Sequence, residues 1–330
     1  MPSTRRAGAS IVAAVARLLL IGAALLLAWP GSARADEDFF EPVALSMGGA
    51  GRVIAVDQST LRLNASALGV RPKYLVGLSY GQTVRERAHQ FASGAYDSRT
   101  SEFFLGTVYS FREFEPTLIP EEDLNWFLAH KQDEIHDQRT YHRWDIAVGY
   151  AFLKRKLNIG ATVRVIQQDM LLRENRTLFT VDAGLTAAPT EFLLFAVSAQ
   201  NLVPTRDLRY ATRLSAGVGL DLDYNPQQRF GVQAEFDVVF DFTTAELPTT
   251  DIHAGVSVKI LYFAAIRAGF FSDRGFLDNN ITWGLGFVTE KFRANFGMAI
   301  EAGTVDRRLR EDVDADQQRV VWSLGIDVSF

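Results

Sequence analysis

From about residue 140 to its last residue this chain repeats with a period of two. Trp144, Ile146, Val148, Tyr150 and Phe152 alternate with Asp145, Ala147, Gly149 and Ala151. Phe230, Val232, Ala234, Phe236, Val238 and Phe240 alternate with Gly231, Gln233, Glu235, Val239 and, either side of them, Arg229 and Asp241, with Asp237 among the polar set. The last ten residues do the same: Trp322, Leu324, Ile326, Val328 and Phe330 oppose Ser323, Gly325, Asp327 and Ser329. Only an extended strand places residues two apart on one side. Segment after segment, one face is large, apolar and almost free of charge. The other carries glycine, small residues and charges of both signs. A soluble sheet turns its charged face to water; a barrel in lipid turns the apolar face outward and encloses the polar one. So many such segments favour the inverted arrangement over a soluble sandwich or small soluble barrel.

The N-terminus agrees. Arg5 and Arg6 precede an apolar run from Leu18 to Trp29, and Ala33-Arg34-Ala35 is a small-x-small cleavage site. This is the layout of a secretory signal peptide over residues 1–35. The run is short for a helical span, which needs about 20 apolar residues. No later segment is long and apolar enough to cross a membrane as a helix. The chain has no cysteine, so disulfides, thiolate metal sites and cysteine catalysis are excluded together. The formal net charge is −5, and removal of residues 1–35 takes away four arginines and no acids. An acidic chain of this kind does not suit nucleic acid.

Counting strands back from Phe330 assigns a side to each connection. Leu153–Lys156, Ala187–Pro189, Tyr224–Gln227, Ile260–Leu261 and Thr289–Lys291 are tight; those near 171–176, 202–209, 243–250, 273–279 and 303–317 are longer and more polar. Short periplasmic turns and longer extracellular loops are the rule for outer-membrane barrels. The count demands one strand that alternation barely shows, Arg87–Tyr96 with Asp97-Ser-Arg-Thr as its turn. With it the total is about 14, an even number as such barrels have. The last strand is then expected to close the barrel against Tyr74–Thr83.

Residues 36–72 read differently. Ala44-Leu-Ser-Met47-Gly48-Gly49-Ala-Gly51 is followed by Val56-Asp57 and by Leu63-Asn64-Ala-Ser-Ala-Leu68. No strand precedes the glycines and no Lys-Ser/Thr follows them, so they are not a nucleotide loop. They suit tight, irregular backbone in a confined space. This pattern resembles the hatch of the long-chain fatty acid transporter (FadL-like) family of outer-membrane barrels, and equally the related PorV-like barrels of protein secretion. Phe195–Leu202, ending Gln200-Asn201-Leu202, resembles a strand of that family, and Ile266–Phe270 with Gly284–Gly286 resembles its late strand pair. One departure is that the family's Asn-Pro-Ala reads Asn64-Ala65-Ser66 here. The C-terminal strand, with Trp322 and Phe330, resembles the signal by which such barrels are recognised by the assembly machinery.

We therefore expect an all-β transmembrane antiparallel β-barrel over residues 73–330, an N-terminal plug or hatch over 36–72, and location in the cell outer membrane, as a monomer among membrane lipid. The hatch residues are Met47, Gly48, Gly49, Gly51, Asp57 and Asn64. Asp145, Arg164, Asp182, Arg213, Asp221, Glu235, Asp237, His253, Lys259, Arg267, Arg293, Glu301 and Asp327 should face the lumen, as a lattice of ion pairs or as a polar conduit. Residues 113–140 are expected to be an extracellular connection bearing an amphipathic helix. Pro120 and the acids after it suit a helix start, and Leu124, Phe127, Leu128, Lys131 and Ile135 recur at helical spacing. That helix packs across the barrel mouth or captures ligand, the role the resemblance implies. His130 and His136, with nearby acids, fit a solvated helical face better than a metal site. No Ser-His-acid or His-Glu-x-x-His spacing points to an enzyme, and no cofactor or metal is expected. The resemblance implies passage of hydrophobic small molecules such as long-chain fatty acids. A secretion-linked barrel and a closed structural barrel are the alternatives.

Overall fold

The structure is a computed structural model. It describes residues 41–330 apart from 55, 85–87, 115–137, 171–174, 204–211, 223–229, 243–248, 261–262, 274–277, 290 and 305–319. The expected signal peptide, the loop helix with Leu124, Phe127 and Leu128, and His130 and His136 lie outside the described residues.

Fourteen strands follow one another along the chain: β1 (Tyr74–Thr83), β2 (Ala88–Asp97), β3 (Phe103–Phe114), β4 (Gln138–Phe152), β5 (Leu157–Met170), β6 (Arg176–Ala187), β7 (Leu193–Gln200), β8 (Arg213–Asp221), β9 (Phe230–Asp241), β10 (Thr249–Ile260), β11 (Ala264–Asp273), β12 (Asp278–Val288), β13 (Phe292–Thr304) and β14 (Val320–Ser329). Each pairs with its sequence neighbours, and β14 returns to β1 to close the barrel. The seam is antiparallel from Leu75 opposite Ser329 to Thr83 opposite Val321. Phe330 ends it, its N–H donating to the Tyr74 carbonyl at 3.1 Å and its ring 5.7 Å from that of Tyr74. Closure leaves neither the first nor the last strand as an open sheet edge, which a bilayer would not tolerate.

The faces are inverted as the alternation implies. On β14, Leu324 and Ile326 are 50% and 51% exposed, while Ser323 and Asp327 are buried. The same holds around the wall, where Leu78, Leu105, Ile146, Ile159, Phe179, Ile266, Ile281 and Leu285 all point outward. A closed barrel wrapped in aliphatic and aromatic side chains is matched to hydrocarbon, not water. It is a transmembrane barrel.

The strand that alternation barely shows exists as β2, shifted one residue from its expected bounds. Its pattern is weak because a large side chain points the wrong way: Tyr96 faces inward and is buried, while Ser93 and Ala95 lie on the outer side. β7 is apolar on both faces because Leu194 and Ala196, pointing inward, pack on the hatch. Its ladder with β6 is short, running only from Ala183–Ala199 to Ala187–Phe195. Above that point Asn201 takes a left-handed φ of 55°, and its N–H is held by Asp182 Oδ1 at 2.7 Å. Loop lengths obey the expected rule incompletely: residues 115–137 and 305–319 make long connections, but β1–β2 and β11–β12 are joined as tightly as strands at the other end.

Inside the barrel sit two short helices, α1 (Pro42–Ser46) and α2 (Thr60–Leu63), and a 3-10 turn, Ala65–Gly69. Residues 41–69, as far as described, are buried. Three apolar seats hold them. Val43, Met47, Ala50, Val53, Ile54 and Val56 pack against Ala188, Leu194 and Ala196. Ala44, Leu45 and Leu63 pack on Phe271, Ala299 and Val321. Leu61, Ala65 and Leu68 pack on Leu75, Tyr96, Phe104, Val108 and Ala147. The inward-pointing apolar residues of the wall thus mark where the hatch rests.

Candidate functional site

Among the described residues, the buried charges converge at the hatch–wall interface. Glycines let the hatch backbone come this close. Gly48 and Gly49 have φ of 68° and 70°, values that cost little only for glycine. A Cβ on Gly48 would stand 2.4 Å from the Phe270 carbonyl oxygen and 2.6 Å from that of Ala254. The wall answers with Gly255 and Gly269, paired with each other across β10 and β11, so the hatch and wall backbones meet with no side chain between them. Met47, beside them, is fully buried. His253 Nδ1 bonds the Gly48 carbonyl at 2.9 Å, an acceptor, so this nitrogen carries the proton.

Glu235 on β9 is the principal latch. Its Oε1 accepts the Gly51 and Val53 amides at 2.9 and 2.7 Å, and its Oε2 accepts the Ile54 amide at 3.1 Å. Three amides that have no secondary-structure partner in the hatch are satisfied by one carboxylate, and charge-assisted bonds of this kind are the strong ones. Asp237, next on the same face, lies 3.7 Å from hatch Arg52.

On the opposite wall, hatch Arg62 reaches Glu41 at 3.1 Å and Asp145 at 3.4 Å. Asp145 also takes Arg143 at 2.7 Å and Arg164 at 2.9 Å, and Arg164 continues to Asp182 at 2.6 Å and to Asn201 at 2.9 Å. Arg164 is wholly buried, and every charge here is paired, as burial requires. Burial pushes the Glu41 carboxyl above its ordinary value, with Arg62 pulling the other way. Arg213 pairs with Asp241 at 2.7 Å, and Arg71, just after the hatch, with Asp221 at 2.7 Å.

Asn64 closes α2 and opens the 3-10 turn. Its Oδ1 accepts the Ser66 amide at 3.2 Å and its Nδ2 donates to the Arg52 carbonyl at 2.7 Å and to Thr186 at 3.2 Å. The absent proline is thereby explained: Ala65 holds the first helical position, whose amide needs no intrahelical partner, so the Asn64 cap works with either residue. Asp57 accepts the amide and hydroxyl of Ser59, which starts α2.

All the expected hatch residues are therefore buried in the hatch, and the expected luminal residues face inward, Arg293 and Glu301 less deeply than the others. Most belong to the lattice; Arg267 and Arg293 do not. Arg52, Arg62 and Arg155 were not anticipated. Arg155 sits in the β4–β5 turn, where Leu153, Lys154 and Arg155 all have positive φ, and it donates to the carbonyls of Gly69, Ser98 and Ser101 at 3.0, 2.7 and 2.7 Å. It ties the end of the hatch to two turns. Charged residues standing among the apolar residues of 41–69 were the signal available for Arg52 and Arg62.

No family model and no curated protein sequence matches this chain. Solved structures do. The toluene transporter TodX of Pseudomonas putida superposes with a TM-score of 0.57 at 12% identity, over 89% of this chain and 99% of that one. The toluene transporter TbuX of Ralstonia pickettii gives 0.55 at 11% identity, over 89% and 98%.

The chain has the fold of the toluene-transporter barrels.

The superposition spans most of this chain and nearly all of each transporter. At this identity it is the architecture that is shared.

Proposed function

We propose that this chain is an outer-membrane barrel through which small hydrophobic molecules pass, and that the hatch is the element that must give way. The observation that supports this reading most is the way the plug is held. It rests on three small apolar seats and a set of reversible polar latches, with no disulfide to fix it. Wall side chains fill a barrel of about eight strands; fourteen strands enclose a wider lumen, and a separate segment held in it by reversible contacts suits a gate. The two toluene transporters that share the fold support a substrate class of small hydrophobic molecules.

In this reading Met47, Gly48, Gly49, Gly51, Asp57 and Asn64 form the gate, and Asp145, Arg164, Arg213 and Glu235 are its polar seats. Leu124, Phe127 and Leu128 capture ligand at the outer mouth, and Trp322 and Phe330 serve recognition by the assembly machinery. The work is passage, not chemistry. Uptake of radiolabelled toluene and dodecanoate by cells with and without the protein tests it. Faster protein-dependent uptake of either supports the proposal. No difference for both, with secretion components co-purifying instead, would replace it with a secretion-linked role.

A further inference from the structure

The lipid-facing wall is not uniform around the barrel. From Phe152 to His142 on β4, and from Phe330 back to Trp322 at the end of the chain, the wall climbs roughly 20–25 Å, at about 3.3 Å per residue and a strand tilt of about 40°. That matches the apolar band of an outer-membrane barrel, about 25 Å tall and edged by aromatic rings. Tyr74, Tyr150, Phe152 and Phe330 stand at one edge. The other edge lies toward the long connections 115–137 and 305–319, which in such barrels face outward from the cell.

At that outer edge, the sector from β14 through β1 to β4 presents imidazoles locked to phenols. The Tyr80 hydroxyl and His89 Nδ1 share a hydrogen bond of 2.6 Å, and the Tyr109 hydroxyl and His142 Nδ1 share one of 2.9 Å. Neighbouring rings brace both pairs. Trp322 lies 5.7 Å from Tyr80 and Trp144 5.2 Å from Tyr109. His142 stacks on Trp144 at 6.0 Å and 13°, with Phe111 at 5.0 Å. A phenol donating to Nδ1 places the ring hydrogen on Nε2. His142 makes no other hydrogen bond among the described residues, so its Nε2–H is a donor held ready on the outside of the barrel. Just beyond, the outward row carries carboxylates: Glu113 stands opposite His89 and Thr140, and Asp169 accepts the Thr140 hydroxyl at 2.7 Å. Toward the same end of β8–β13 the outer wall is hydrocarbon, with Leu214, Phe240, Ile252, Phe270, Ile281 and Ile300. A belt that only anchored the barrel would not need its hydrogen-bonding rings on one sector.

We propose that this sector binds the phosphorylated glucosamine headgroup of lipopolysaccharide, the glycolipid of the outer leaflet. The layers of the wall match that lipid in order. Leu78, Leu105 and Ile146 meet its acyl chains. Nε2 of His142 donates to a phosphate oxygen, a charge-assisted bond, and Trp144, Tyr80 and Trp322 offer ring surface to the sugars. Glu113 and Asp169 face phosphate across a divalent cation, for which carboxylates are ordinary ligands. Tyr109 is a positioning residue: it fixes the tautomer and the angle of the His142 ring. The site lies wholly on the outside of the barrel, so it is independent of what crosses the lumen.

Titration of the detergent-purified barrel with fluorescent diphosphoryl lipid A in Mg2+, with unlabelled lipid A or phosphatidylglycerol as competitor, tests this. Phosphatidylglycerol should compete at least about 10-fold more weakly than lipid A. His142→Ala should weaken lipid A roughly 10-fold or more, the loss for a hydrogen bond to a charged group. Tyr109→Phe should lose less, and Phe240→Ala, on the hydrocarbon sector, should lose nothing. Chelation of Mg2+ should weaken binding to the wild-type barrel. A heat-modifiable gel shift confirms that each variant is folded; should His142→Ala not fold, Tyr109→Phe and the preference between the two lipids decide. Equal competition by the two lipids, as a general aromatic belt would give, overturns the proposal. So does lipid A binding that is unchanged in folded His142→Ala or undiminished by chelation.

Discussion

Glu235 shows how much of the hold on the hatch depends on one residue. Its two oxygens take three hatch amides, and removing them would leave those amides buried without acceptors. Each orphaned buried donor costs about 1–3 kcal/mol, not additively. Glu235→Ala should therefore loosen the hatch by about 3 kcal/mol, and Glu235→Gln, which keeps one acceptor oxygen, by less. Limited proteolysis of the folded barrel reads this directly: the Ala variant should be cut within residues 41–69 while the barrel stays heat-modifiable. An uncut hatch in Glu235→Ala would show that the three apolar seats suffice. The sequence placed Glu235 on the polar face of its strand, but its partners lie 181 to 184 positions away. Alternation gives direction only. It has nothing to say about which distant backbone a side chain will meet, which is also why Arg52 and Arg62 went unassigned.

At the scale of elements, what alternation revealed and what it hid have one cause. Where the lumen is polar, inward residues are polar and the strand announces itself, as β14 and β9 do. Where the hatch rests, inward residues turn apolar and the signal fades. Tyr96 hides β2, and Leu194 and Ala196 make β7 apolar on both faces. β2 was recoverable only because a barrel that starts and ends on one side needs an even count. The outer face makes a separate prediction. Leu324, on β14, pairs with Tyr80 across the closing seam and with Phe296 on its other side, facing lipid. Leu324→Arg should cost roughly 2–4 kcal/mol near mid-bilayer and lower the heat-modifiable fraction, whereas Leu324→Phe should not. Equal folding of the two would mean that this face does not meet hydrocarbon.

For the whole molecule, the strand count, the closure of β14 on β1 and the separate hatch were legible, because each follows from period, parity or a glycine pattern. The division of the lumen was not. One sector is tied by paired charges around Arg62 and Arg164, another by Glu235, and a third by the apolar seat of Ala44, Leu45 and Leu63 on Phe271, Ala299 and Val321. Charges of both signs recur on nearly every strand, and only the closed register decides which of them meet. The plug is therefore held on three sides, and the proposed passage requires it to move and then return.

A disulfide across one of the firm contacts tests that claim most directly. The Ser66 hydroxyl of the hatch and the Thr186 hydroxyl of β6 are 2.7 Å apart, and the chain has no cysteine of its own to interfere. In Ser66→Cys/Thr186→Cys, uptake of labelled toluene or dodecanoate should fall to the level of cells lacking the protein when the pair is oxidised, and recover on reduction. Protein-dependent uptake that is the same in the oxidised and reduced forms would contradict a gate that opens by moving the hatch.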